Sequence, residues 1–149
     1  MIHKSKFGFA GDHPAEFARL HHAERLINYY IGVTLQMQGK GLAALPYLEE
    51  AVVAGALQPE RNYRLGLSLL EANRVSEAET ALQEALAAKP QSVEFQLGKA
   101  ALLVRQGDLA KAETIYRTAL ASHPDSPMAH KSYGDFLAVV GRHAEAESH

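Results

Sequence analysis

A glycine inside a helix costs ~1 kcal/mol against alanine, so a glycine that returns at a fixed interval in a helix-forming chain demands a packing reason. Gly32, Gly66 and Gly134 stand at multiples of 34 residues from one another, and the step without a glycine carries Ala100, the next smallest side chain. Leu35, Leu69, Leu103 and Leu137 keep the same interval, as do Ala44, Ala78, Ala112 and Ala146, then Ala51, Ala85 and Ala119, and finally Pro90 and Pro124. A period of this length marks a stack of supersecondary units, each unable to bury its apolar face alone.

The rest of the chain says which kind of unit. Hydrophobic residues make up 47% of it and aromatics only 7%, with no tryptophan. Ala and Leu are abundant and long β-branched runs are missing, which favours helices packed through small and branched side chains. Gly39, Gly107 and Gly141, with Asn73 in the remaining unit, fall where a helix ending in a left-handed residue wants Gly or Asn. Pro90 and Pro124 close a second helix, which proline cannot continue. Each unit therefore reads as helix, tight turn, helix, turn. The recurrent glycine lets the second helix cross close to the first, and Ala44, Ala78 and Ala112 line that crossing.

Leu65-Gly66, Leu69, Ala78, Leu82, Ala85-Leu86 and Pro90 together resemble a tetratricopeptide repeat (TPR) motif. The next unit matches at Leu103, Gly107, Ala112, Tyr116, Ala119-Leu120 and Pro124. The preceding one matches at Ile31-Gly32, Leu35, Gly39, Ala44, Leu48 and Ala51, with Ala56 where proline is expected, and a last one shows Tyr133-Gly134, Leu137, Gly141 and Ala146. The resemblance implies an all-α, right-handed α-solenoid of antiparallel helix pairs: repeats at 25–58, 59–92 and 93–126 and a partial one at 127–149, after a leader at 1–24. Asn28, Asn62, Gln96 and His130 stand where the pattern often has Trp, so packing between units is expected to be less aromatic. Lys99 replaces an apolar residue whose place Leu97 and Leu102 are expected to share.

In this family the first helices of successive units line a concave groove where partners bind. At i, i+4 and i+7 spacing the lining is expected to comprise Tyr29, Val33 and Gln36; Tyr63, Leu67 and Leu70; Leu97, Ala101 and Val104; and Lys131, Asp135 and Ala138. That surface is mostly apolar, with Lys131 its one cation. It does not suit the Lys/Asn carboxylate clamp for which the family is best known. It suits an amphipathic helix or an extended segment with aliphatic anchors, and Tyr29 and Tyr63 are the expected anchors.

The leader carries Phe7, Phe9, Phe17 and Leu20, and Asp12 with Pro14 resembles a helix start. Two readings stay open. The leader covers the groove, or Pro14 to Gln38 forms one long helix that places Phe17 and Leu20 beyond the repeat body. At the other end, a stop inside a helix is expected to leave Tyr133, Phe136, Leu137 and Val140 incompletely covered, so the open C-terminal end or the N-terminal segment is a candidate for homo-oligomerisation.

Chemistry is sparse. The absence of cysteine removes disulfides, thiolate metal sites and a Cys nucleophile. His21-His22, His123, His130 and His143 lack ligand spacing, and Gly8-Phe9-Ala10-Gly11 is too short for a phosphate loop. Ser122-His123 has no orienting acid. We expect no catalytic, metal or cofactor site. With 15 basic and 17 acidic residues and no Lys/Arg cluster, nucleic acid is not an expected partner. With no apolar signal core and no 18-residue apolar run, neither is a membrane, and the expected compartment is the cytoplasm. The expected function is a non-catalytic protein-interaction scaffold. The alternative is a recruitment or oligomerisation arm of a larger enzyme such as a transferase.

Overall fold

The computed structural model describes residues 14–51 and 58–141, and all regular structure among them is helical. The order is α1 (Pro14–Met37), α2 (Gly41–Ala51), α3 (Pro59–Glu71), α4 (Val75–Ala88), α5 (Val93–Arg105), α6 (Leu109–Ser122) and α7 (Pro127–Val139). Helices α1 and α2, α3 and α4, and α5 and α6 form the pairs, and each second helix packs on the first helix of the next pair.

The turns inside the pairs follow from the residues that occupy them. Gly39, Asn73, Gly107 and Gly141 take φ of 76°, 60°, 83° and 81°, the left-handed region that only Gly and Asn enter readily. Around Gly39 the amide of Lys40 donates to the Leu35 carbonyl at 2.8 Å and that of Gly39 to the Gln36 carbonyl at 2.9 Å. The same two bonds recur at Asn73–Arg74 and Gly107–Asp108, a Schellman arrangement that satisfies helix-end carbonyls. Starts are fixed by side chains: Ser92, Asp108 and Ser126 accept from the amides of Phe95, Lys111 and Ala129.

The period in the sequence is a period of contact. A Cβ on Gly32 would lie 2.7 Å from Leu48 Cγ, and one on Gly66 would lie 2.6 Å from Leu82 Cγ. In the third pair Ala100 takes the glycine's place and Tyr116 stands in the column of Leu48 and Leu82. Ala44, Ala78 and Ala112, and Ala51, Ala85 and Ala119, are all fully buried along these crossings. Lys99 is exposed while Leu97 and Leu102 are buried, so the two leucines take up the apolar role.

At the N-terminal end helix α1 starts at Pro14 and runs unbroken to Met37, nearly twice the length of α3, α5 or α7; of the two open readings, the long-helix one describes residues 14–37, and residues 1–13 lie outside the described ones. At the other end one expectation is revised in part: Tyr133, Phe136 and Leu137 are buried rather than incompletely covered, while Val140 is only half-buried, as expected. The reason is aromatic: Tyr116 stacks on Tyr133 at 5.9 Å and lies 5.1 Å from Phe136, and the Tyr133 hydroxyl donates to Glu113 at 3.0 Å.

Candidate functional site

First helices also touch one another directly, α1 to α3, α3 to α5 and α5 to α7, so their inner faces form a continuous surface. It contains a cavity of about 460 Å³ lined by residues of α3, α5 and α7 and by Tyr116 of α6. The cavity arises from side-chain size. One column, thirty-four residues apart, reads Tyr30, Arg64, Gly98 and Ser132. Where it falls to Gly98 and Ser132 the wall recedes, and both residues line the cavity.

Of the twelve residues expected to line a groove, Tyr63, Leu67, Leu97, Ala101, Val104, Lys131 and Asp135 border this cavity. Tyr29 and Val33 are half-buried on α1, outside it. Gln36 is a strut: its side-chain nitrogen donates to the Arg64 carbonyl and to Ser68 Oγ, both at 2.7 Å, and its Oε1 is buried without a partner. Leu70 sits in the core with Leu69, Leu82 and Phe95, and Ala138 is exposed. Leu70 is buried because α3 is packed by α1, α2, α4 and α5, leaving little of its circumference free.

The two expected anchors behave differently from free tyrosines. Tyr29 carries the Arg61 guanidinium 5.8 Å above its ring, and burial raises its pKa. Tyr63 is buried, with its ring 5.1 Å from Phe95 and beneath Gly98, whose Cβ would come within 2.9 Å of Tyr63 Cε1. It forms the wall and does not project. Burial, with a smaller contribution from the Glu94 carboxylate, pushes its phenol up to about 12. Tyr116 is likewise pushed up to about 12 by burial, aided by Asp135. Both phenols therefore stay neutral at ordinary pH.

The first-helix pattern did not reveal Tyr116, which comes from a second helix, nor Gly98, Met128, Phe136, Val139 and Arg105, which complete the wall and rim. The signal was present: Tyr116 replaces leucine in the close-crossing column, and a larger residue there reaches past the helix pair. The rim is charged, with Lys131 paired to Asp135 at 3.1 Å and Arg105 at the end of α5. Apart from Ser132 and Gly98 the wall is aliphatic and aromatic. Such a hollow desolvates apolar side chains, and its size is within the range of small-ligand and anchor pockets.

Among the described residues no three His, Asp or Glu side chains gather as a metal site requires. Several histidines have other positions: His21 packs on Phe17 at 4.3 Å, His123 ends α6, and His130 Nε2 is hydrogen-bonded to the Pro124 carbonyl at 2.7 Å. His143 lies outside the described residues. No described helix is long and apolar enough to cross a membrane.

The tetratricopeptide repeat family model matches at 29–93, 63–127 and 97–149. None of the curated proteins matches the chain. Among solved structures, a thermophilic TPR protein of Thermus thermophilus superposes with a TM-score of 0.69 at 22% identity, covering 83% of this chain and 70% of that one. A tetratricopeptide repeat protein from Parabacteroides merdae gives 0.71 at 20% identity, covering 83% and 48%. MamA gives 0.61 at 22% identity, covering 97% and 86%. Likeness at this identity speaks to the fold.

Proposed function

We propose, from the premise that the chain belongs to the tetratricopeptide repeat family, that it is a non-catalytic interaction module whose α3–α5–α7 cavity receives apolar side chains of a partner segment. The observation that carries this reading is the cavity itself: about 460 Å³ of largely apolar hollow on the inner face of the first helices. Leu67, Leu97, Val104, Met128 and Val139 supply aliphatic contact area, and the neutral phenols of Tyr63 and Tyr116 add aromatic surface. A pocket of this kind suits the anchor of an amphipathic helix or extended peptide, where a few buried side chains supply most of the affinity.

The test is selection of peptides from a displayed random library on the immobilised protein, repeated with Ala101→Trp. Ala101 borders the hollow and is only partly buried, so tryptophan there fills the cavity without entering the core. Peptides with bulky apolar anchors should be enriched and should lose at least about tenfold in affinity for the variant. Enriched peptides that bind Ala101→Trp equally well would place recognition elsewhere. Tyr63→Ala is a poor probe, since removing a wall residue packed on Phe95 unsettles the fold as well as the surface.

A further inference from the structure

The cavity between α3, α5 and α7 is apolar over most of its wall, yet two of its residues carry hydroxyls that the described chain does not use. Tyr63 and Tyr116 are 8% and 5% exposed and both line the cavity. Neither hydroxyl has a hydrogen-bond partner among the described residues, in contrast to Tyr133, which donates to Glu113 at 3.0 Å. Among those residues, the one side-chain oxygen or nitrogen that is sealed from solvent without a partner is Gln36 Oε1. Both phenol oxygens therefore keep access to solvent, and the opening beside them is the cavity. A buried tyrosine hydroxyl ordinarily finds a partner, so two unused ones in one hollow mark a place for a partner from outside.

Charge points the same way. Arg105 borders the cavity, is exposed at the end of α5, and has no hydrogen-bond or ion-pair partner among the described residues. The acids that act on the two phenols are already engaged: Glu94 with Arg64 at 3.7 Å, and Asp135 with Lys131 at 3.1 Å. Arg105 is thus the uncompensated charge of the wall. Burial raises both phenols to about 12, so they keep their protons at ordinary pH and can donate. A guanidinium has no accepting atom. Two neutral donors and one cationic donor call for an acceptor that carries negative charge.

We infer that the partner segment brings a side-chain carboxylate, of Asp or Glu, to this cavity beside its apolar anchor, held by the Tyr63 and Tyr116 hydroxyls and by Arg105. The inference rests on the reading of the cavity as an anchor site and names the polar half of what enters it. Hydrogen bonds to a charged acceptor are the strong ones, and in a half-closed hollow they offset the cost of desolvating the acid. An amine in the same place would face Arg105 as a like charge. The carboxylate belongs to a side chain and not to a chain end, because the inner-face column Val33, Leu67 and Ala101 offers no polar side chain to hold peptide backbone up to a terminus.

A random peptide library displayed with its C-terminus fused to the carrier tests this on the full chain. Selection is run on wild type, Arg105→Gln, Tyr63→Phe, Tyr116→Phe and, as a control for general charge, Lys99→Gln. Lys99 is exposed on α5 and lies outside this cavity. The phenylalanine variants keep the ring and lose only the hydroxyl, and circular dichroism checks that every variant is folded. Peptides selected on wild type and on Lys99→Gln should carry Asp or Glu close to a bulky apolar residue, and replacing that acid by Asn or Gln should weaken binding at least about tenfold. Arg105→Gln should remove the preference for the acid. Each phenylalanine should weaken the acidic peptide about threefold or more while sparing its amide counterpart. Peptides that lose affinity for Ala101→Trp yet show no acidic preference overturn the inference and leave the cavity standing as an anchor site. An acid whose replacement costs the same in wild type, Arg105→Gln and both phenylalanine variants overturns it too, as does a synthetic peptide that binds only with a free C-terminal carboxylate. If no peptide is enriched, or if enriched peptides bind Ala101→Trp unchanged, the anchor reading of the cavity falls and the inference with it.

Discussion

Replacing Gly66 by alanine puts the close helix crossing to a quantitative test. Alanine is the better helix former by ~1 kcal/mol, so in an open helix Gly66→Ala would stabilise. Here the added Cβ would stand 2.6 Å from Leu82 Cγ and 2.7 Å from Cδ2, well inside van der Waals contact. Leu82 has little room to withdraw: it is 2% exposed and sits in the core with Tyr63, Leu69, Ala78 and Phe95. Overpacking of this kind costs ~1–3 kcal/mol, which offsets the propensity gain and leaves a net loss of up to ~2 kcal/mol. With a urea m-value of ~2 kcal/mol/M, the unfolding midpoint should fall by up to ~1 M. The sign is the informative part. In a Leu82→Ala background the clash is gone and only propensity remains, so the same Gly66→Ala change should stabilise by ~1 kcal/mol. Equal effects in the two backgrounds would mean that the glycine column is not held by side-chain contact.

Other outcomes follow from the same geometry. Gly107→Ala should lower stability by ~1–2 kcal/mol in urea unfolding through its left-handed backbone alone, because a Cβ there would meet nothing within 4 Å. Ser126→Ala removes the acceptor for the Ala129 amide and should cost ~1 kcal/mol, read as a lower midpoint with less helix signal near α7. The Tyr63 phenol is raised from 10.0 to about 12 by burial. Its unfolded form loses the proton first as pH rises, so this contribution to stability is complete below pH ~10 and is lost toward pH ~12. Tyr63→Phe should therefore flatten the alkaline limb of a stability-versus-pH curve, by up to ~2 kcal/mol.

The sequence carried the repeat because backbone and crossing requirements act through single residue types. A left-handed turn admits Gly or Asn, and a close crossing admits Gly or Ala, so Gly39, Asn73 and Gly66 could be interpreted without neighbours in view. The surface was less legible. Leu70 keeps the same helical phase as Tyr63 and Leu67, yet it is buried because four helices surround α3, a fact of neighbours and not of phase. Gln36 shares the helical phase of the groove residues, yet it is a strut between α1 and α3. The cavity depends on a coincidence across two units, the small Gly98 and Ser132 beside the large Tyr116, and no single helix shows it. The N-terminal helix start at Pro14 was readable; that the helix would continue into the first repeat was one of two open readings.

The central claim is that partners are gripped in the hollow between α3, α5 and α7. Methyl-detected NMR during titration with a selected peptide tests it most directly, because methyl groups are spread over both the cavity and the exposed Leu20, Ile27 and Ile31 of α1. The account predicts shifts at Leu67, Leu97, Val104, Met128 and Val139, which line the hollow, with Leu20 and Ile27 unmoved. Shifts confined to Leu20, Ile27 and Ile31, with the cavity methyls silent, would contradict it.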